Sequence, residues 1–151
     1  MPTTESFWEP CWACRVIAGE AVGSAVAERD GIVVLLNPFP LTAGHALVIP
    51  RTHAANVYEL PDDLAGPVLS TAARVARAAK RAFGADGITL RQNNEAASDQ
   101  HLFHFHLHVI PRFDGDLERF NATPQLAGRG ELEASAARLR AALLEQERQS
   151  S

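Results

Sequence analysis

No stretch of this 151-residue chain approaches the run of about 18 apolar residues that a membrane span requires. Met1 to Trp8 has neither a basic n-region nor an apolar h-region and is not read as a secretory leader. Lysine and arginine form no cluster, and the formal net charge is -4. The electrostatic footprint of a nucleic-acid binder is therefore missing, and charge argues for no membrane surface, while a small anionic ligand stays compatible. Internal repeats and low-complexity tracts are absent, which excludes solenoids. Cysteine occurs only twice, as Cys11-x-x-Cys14, too few for a disulfide framework. What remains is a cytosolic protein of one domain spanning 1-151, with 46% hydrophobic and 21% charged residues.

The most informative stretch is His104-Phe105-His106-Leu107-His108-Val109-Ile110-Pro111-Arg112, which contains half of the six histidines. Strict alternation predicts a half-buried strand with all three imidazoles on one face and Phe105, Leu107 and Val109 in the core behind them. Same-face neighbours about 6.6 Å apart bring two or three rings to one small pocket. Aligned imidazoles point to catalysis or metal binding. An ordinary imidazole has a pKa near 6.5 and offers a nucleophilic lone pair at neutral pH without a separate base.

The other segments supply a frame. Cys11 to Glu20 reads as a short helix or turn stopped by Gly19. In a reducing compartment such a thiol pair is metal-binding or redox-active; a thioredoxin-like role would want it after a strand and opening a long helix, whereas here it precedes a hairpin. Arg29-Asp30-Gly31 joins Ala25-Glu28 to Ile32-Leu36 as that hairpin. Asn37 to Gly44 is a loop fixed by two prolines, followed by a strand from His45 to Pro50 and then Arg51-Thr52-His53. Leu64, Val68, Leu69, Ala72, Val75, Ala76, Ala79 and Phe83 recur at three and four, predicting an amphipathic helix over 61-83, with Asp62 and Asp63 at its start and Gly84 at its end. Pro67 implies a later start or a bend. Ile88 to Asn93 is a strand that turns back through 94-100 into the histidine strand. A loop over 113-130 and a helix over 131-146 follow, with a fraying tail. Antiparallel hairpins with helices on one face make an α+β fold.

The row His104-x-His106-x-His108 with Pro111-Arg112 resembles the signature of the histidine triad (HIT) family of nucleotide hydrolases and transferases. The likeness extends through Gly44-His45-Ala46-Leu47-Val48-Ile49-Pro50, Cys11-x-x-Cys14 and Ile17-Ala18-Gly19-Glu20, so it covers about 11-112. It implies a five-stranded antiparallel sheet with one long helix, here followed by a C-terminal loop and helix over 113-147, and a two-fold homodimer to which the Leu64 to Phe83 helix contributes. It also implies an adenine nucleotide substrate, a phosphoramidate or a dinucleoside polyphosphate, attacked at its α-phosphate by His106 to give a nucleotidyl-histidine. His108 then contacts the α-phosphate and His45 lies close by, stabilising charge, especially if protonated.

Further positions match residue by residue. Asn37 corresponds to a ribose-binding residue, Asn93 to an amide on ribose or phosphate, and Gln100 to a glutamine of the family's Gly-Gln-x-Val segment; each also suits a plain turn-capping role. His101 departs from the pattern, standing where a hydroxyl residue can donate to the leaving group. In relatives that keep the CxxC, the resemblance implies a zinc site, here Cys11, Cys14, His53 and His104, structural because four protein ligands leave no open position. Two rival readings stand beside this one. A transferase like galactose-1-phosphate uridylyltransferase has a His-Pro-His motif, against which Phe105 argues; a non-catalytic, zinc-stabilised nucleotide-binding scaffold is disfavoured by the intact His106.

Overall fold

The structure, a computed structural model, describes residues 4–150. Met1–Thr3 and Ser151 lie outside these, so the expectations for the two ends are tested only on the residues next to them. The order is α1 (Thr4–Trp8), α2 (Trp12–Ile17), β1 (Ala25–Arg29), β2 (Ile32–Leu36), β3 (Ala46–Pro50), α3 (Asp62–Phe83), β4 (Gly87–Arg91), β5 (Leu107–Arg112), α4 (Leu117–Asn121) and α5 (Arg129–Ser150). The strands form one sheet in the order β1-β2-β3-β5-β4, and every neighbouring pair is antiparallel. The expected α+β, five-stranded architecture is present. No described helix is long and apolar enough to cross a membrane.

Asp30 (φ 53) and Gly31 (φ 77) both take left-handed conformations, and Arg29 pairs with Ile32 around them. Two consecutive positive φ values match the twist of the flanking strands, which is why Asp-Gly closes this hairpin. β2 and β3 are buried at every residue, because the sheet is covered on both faces. On one face Ile32, Val34, Leu36, Ala46, Val48 and Val109 pack with Val68, Ala72 and Val75 of α3 and Leu132, Ala136 and Leu139 of α5. On the other, Val33, Leu35, Leu47 and Ile49 meet Trp8, Trp12 and Leu102. Each large aliphatic side chain buried in this way contributes about 1.5–3 kcal/mol. The expectation of helices on one face therefore holds for α3 and α5, while α1 and α2 lie across the sheet from them.

α3 begins at Asp62 with Pro67 inside it and ends on Gly84 at φ 64. A proline at the sixth position removes one amide donor, to the Asp63 carbonyl, near the exposed start of the helix, where water can replace it. The helix therefore needs no later start. Among its large hydrophobics only Leu69 is strongly exposed, since the sheet and α5 already cover its apolar face.

Three boundaries differ from expectation. The loop over 113-130 contains α4, and α5 already begins at Arg129. The 147–150 segment, expected to fray, stays helical, because Gln146 Nε2 donates to Arg74 O (3.2 Å) and ties the end of α5 to α3. The histidine strand begins at Leu107 rather than His104. Phe105 N–H donates to Ala54 O (2.6 Å) in the loop after β3, outside any strand ladder.

Candidate active site

β3 and β5 set the site. Leu47 pairs with His108, and opposed residues of an antiparallel pair share a face, so His108 projects away from α3, where Leu47 also points. His45, two residues before Leu47, comes to the same side. His45 Nε2 and His108 Nδ1 are 2.8 Å apart, and the rings of His106 and His108 have centroids 4.9 Å apart. His45, His106 and His108 line one pocket of 540 Å³. His104 does not. The alternation predicted two or three imidazoles along one pocket, and two of the row reach it, His106 and His108; the ring of His104 lies instead 4.9 Å from the ring of His53, beside the thiols of Cys11 and Cys14.

The hydrogen bonds assign the tautomers. Leu41 N–H donates to His45 Nδ1 (3.1 Å), so His45 carries its proton on Nε2 and donates it to His108 Nδ1. His108 in turn keeps its proton on Nε2. Asn37 Nδ2, 3.4 Å from His45 Nε2, faces a second donor and makes no real bond there; its Oδ1 accepts from Phe39 N–H (2.9 Å). His106 Nδ1–H donates to the His104 carbonyl (2.7 Å), leaving Nε2 with a free lone pair. His104 Nε2–H donates to Pro50 O (2.7 Å), which frees Nδ1.

Burial dominates the protonation of these rings. It pushes His45 down to about 3, with the charges of Arg91 and His106 adding to the effect. His106 falls to about 4, burial outweighing the opposing bond to the His104 carbonyl. His108 is also lowered well below 6.5, first by burial and then by the charges of His106, His45 and Arg91. A charged imidazole in a low-dielectric wall loses more hydration than its neighbours return. His45, His106 and His108 are therefore neutral at pH 7, so the part of the expected charge stabilisation that depends on protonation gives way to donation from a neutral N–H.

A second cluster lies beside the first. Cys11, Cys14, His53 and His104 each present one ligand atom, all within 4.8 Å of one another. Cys11 Sγ is 3.7 Å from His53 Nδ1 and 3.4 Å from His104 Nδ1, Cys14 Sγ is 3.4 and 3.5 Å from the same atoms, and the two nitrogens are 3.1 Å apart. A tetrahedral zinc about 2.3 Å from sulfur and about 2.05 Å from nitrogen has edges of about 3.6 Å (S to N) and about 3.3 Å (N to N). The residues fit that ion. Cys14 N–H also donates to Cys11 Sγ (3.5 Å), and the His104 bond to Pro50 O orients its ring as an outer partner orients a metal-bound histidine. Burial and the adjacent Cys11 raise the Cys14 thiol to about 11; a dication is what draws the protons from such a pair.

Residues 18–115 match the HIT domain. The protein hit of Bacillus subtilis is 38% identical over 105 residues, 70% of this chain and 72% of that one. This chain belongs to the HIT family, whose members form a superfamily of nucleotide-binding hydrolases and transferases. A zinc-bound histidine triad family protein from Mycobacterium smegmatis superposes with a TM-score of 0.81 at 32% identity, covering 91% of this chain and 96% of that one. An Arabidopsis thaliana adenylylsulfatase is 35% identical over 106 residues, 70% of this chain and 54% of its own.

Within this HIT chain, Asn37 and Asn93 line the histidine pocket. Gln100 lies behind the wall: its Oε1 accepts from Glu95 N–H (2.6 Å) and its Nε2 donates to Ala55 O (2.7 Å) and Leu102 O (3.0 Å). Its amide thus folds the 94-100 loop onto the segment after β3. The geometry supports the turn-holding alternative for this residue. His101 lines the pocket from an exposed position. Sequence reasoning missed the walls: Trp8, Phe39, Leu41 and Leu102 on one side, and Arg91 and Phe120 on the other. Arg91 was detectable, since it stands two residues before Asn93 in the strand predicted over 88-93, where alternation gives both one face. The aromatic wall left no local signal, because Trp8 and Phe39 meet (centroids 5.5 Å apart) only after folding.

Proposed function

We propose that this chain is a nucleotide hydrolase or transferase acting at the α-phosphate of adenine nucleotides through a nucleotidyl-His106. The observation that supports it most directly is the placement of His106, a neutral imidazole that lines the pocket and whose Nδ1–H is held by a backbone carbonyl, leaving Nε2 as the free nitrogen. In this reading the Nε2 lone pair attacks the α-phosphorus and forms a P–N bond, while the bond to the leaving group breaks and its electron pair departs with that group. His108 Nε2–H donates to a non-bridging oxygen, held in that state by the Leu41 to His45 to His108 chain. Water, or phosphate in a phosphorolytic variant, then attacks phosphorus, the P–N electrons return to Nε2, and the proton of the attacking group is released to solvent. Trp8, Phe39 and Leu41 offer the apolar surface a base requires, and Asn37 and Asn93 the amides a ribose or phosphate requires. The adenylylsulfatase relative supports the adenine nucleotide class. Quenched turnover should leave an acid-labile phosphoramidate on His106, and His106→Ala should lose more than about 100-fold in turnover. A variant that keeps more than this rejects the covalent route.

The Cys11, Cys14, His53, His104 set holds zinc in a structural role: four protein ligands close the coordination shell, so the metal supports the chain segment that orients His106 and takes no part in the chemical step. We place the protein in the cytosol, where the two free cysteines stay reduced. A two-fold homodimer is part of the proposal. The open edge of β4, with Leu90 44% exposed, suits an isologous contact better than the covered apolar face of α3. Light scattering that gives the mass of a single 16.3 kDa chain at micromolar concentration overturns the dimer and leaves the chemistry standing.

A further inference from the structure

Among the described residues that line the pocket, Arg91 is the one lysine or arginine. Arg91 sits at the end of β4 directly opposite His108, so its side chain shares the face of the catalytic imidazoles. Its charge is felt at all three of them. Within the described chain it makes no ion pair or hydrogen bond, and its Nε is buried without a partner. Its one contact of note is the ring of Phe120, with Cζ 5.6 Å from the centroid.

Arg112 shows what a satisfied arginine looks like in this neighbourhood. It stacks on the same Phe120 ring at 3.8 Å, binds both carboxylate oxygens of Asp116 at 2.8 and 2.7 Å, and donates to Thr89 (3.1 Å). That pairing holds the Asp116 carboxyl at about 2. Arg112 is neutralised and fixes the loop that carries α4; Arg91, on the other side of the ring, is positioned by the same aromatic and left uncompensated. A guanidinium with a buried, unbonded donor costs free energy unless an anion meets it. The five donors of its planar fork match phosphate or sulfate oxygens.

We infer that Arg91 is a specificity-determining anion subsite that receives the leaving group, so that the preferred substrates are nucleoside 5′-phosphates joined through an anhydride to a phosphate or sulfate. This rests on reading the histidine pocket as the α-phosphate site. When His106 displaces the leaving group, the anhydride oxygen departs with the bonding electron pair, and Arg91 balances that charge. An amine leaving group, as in a phosphoramidate, departs after protonation as a neutral molecule and has no use for the guanidinium.

The test compares diadenosine tetraphosphate with adenosine 5′-phosphoramidate on the full chain. Arg91→Met should lower kcat/KM for the tetraphosphate by about 10- to 100-fold, the range for a hydrogen bond to a charged group, and at least tenfold less for the phosphoramidate. Arg91→Lys should recover part of the loss, because a point charge replaces the fork. Calorimetry with inorganic tripolyphosphate should show at least tenfold weaker binding to Arg91→Met. Equal losses on the two substrates, or unchanged tripolyphosphate affinity, overturn the subsite and leave the hydrolase reading intact. A wild-type chain that turns over neither substrate, yet binds tripolyphosphate through Arg91, refutes the hydrolase reading and supports the subsite. Should Arg91→Met fail to fold, Arg91→Lys in the calorimetric arm carries the same decision: an affinity equal to wild type speaks against a forked contact.

Discussion

Replacing both metal-site thiols, Cys11→Ser with Cys14→Ser, opens a tie that spans more than half of the chain. Cys11 and His104 are 93 residues apart in sequence and meet only through this cluster. Treated as a cross-link, a closure of that length restricts the unfolded chain by about 4–5 kcal/mol, an upper limit because the metal bonds can open. For a chain of this size each kcal/mol moves the unfolding midpoint by about 2–4 °C, so the variant, or wild type after chelation, should melt about 8–20 °C lower by scanning calorimetry. Both hydrophobic clusters remain without the metal, so the chain should still fold. Turnover by the folded fraction should fall less, since the metal reaches His106 only through the His104 carbonyl that accepts its Nδ1–H. Elemental analysis of chelator-free protein should show about one zinc per chain. Metal-free protein with an unchanged melting point refutes the site, and complete loss of turnover in a folded double variant refutes its structural role.

Three further outcomes follow from the geometry. Because the pocket imidazoles must be neutral and burial keeps them so, kcat/KM measured with zinc present should be flat between about pH 5 and 8; a break near 6.5, the ordinary imidazole value, contradicts the burial. The linked stability has the opposite limb: the folded pKa values, about 3 for His45 and about 4 for His106, lie below the unfolded 6.5, so their contribution is full above pH 6.5. It falls by about 1 kcal/mol per pH unit for each ring as the pH drops from there, which urea titrations from pH 7 to 5 can check. Gly44→Ala should destabilise by about 2–4 kcal/mol, since φ is 85 and an added Cβ meets the Phe83 ring at 2.4 Å, whereas Gly66→Ala, in open space within α3, should stabilise by about 0.5–1 kcal/mol; chemical denaturation distinguishes the two.

The frame was legible where a residue's role depends on near neighbours in sequence. Asp30-Gly31 announces its hairpin, and the three-and-four spacing from Leu64 to Phe83 announces α3 with Asp62 and Gly84 at its limits. The alternating histidines were legible as a pattern and less so as a structure. The His104 ring belongs to partners that lie 51 to 93 residues away, so the strand ladder starts three residues late. The ligand set itself was supplied by family resemblance, since two cysteines and two distant histidines are not joined by any local rule. The protonation states were out of reach, because an imidazole has its ordinary pKa until the sheet and the N-terminal aromatics bury it. Gln100 illustrates the converse: its amide suited a ligand as well as a loop, and the three bonds that favour the loop exist only in the folded chain.

The pocket is assembled from two kinds of material. Its reacting groups stand at or just before the starts of β3 and β5 in the middle of the sheet, inside the 18–115 segment matched by the HIT domain. Much of its boundary comes from outside that segment: Trp8 from before it, and Phe120, Ala122, Thr123 and Pro124 from after it. Such a molecule has a fixed hearth and an adjustable collar. Grafting the first 17 residues from a relative that keeps Cys11 and Cys14 in place, or the 116-124 segment, should redirect which nucleotides are admitted while leaving His45, His106 and His108 in register, so new selectivity is reachable by recombining chain ends without touching the bond-making centre.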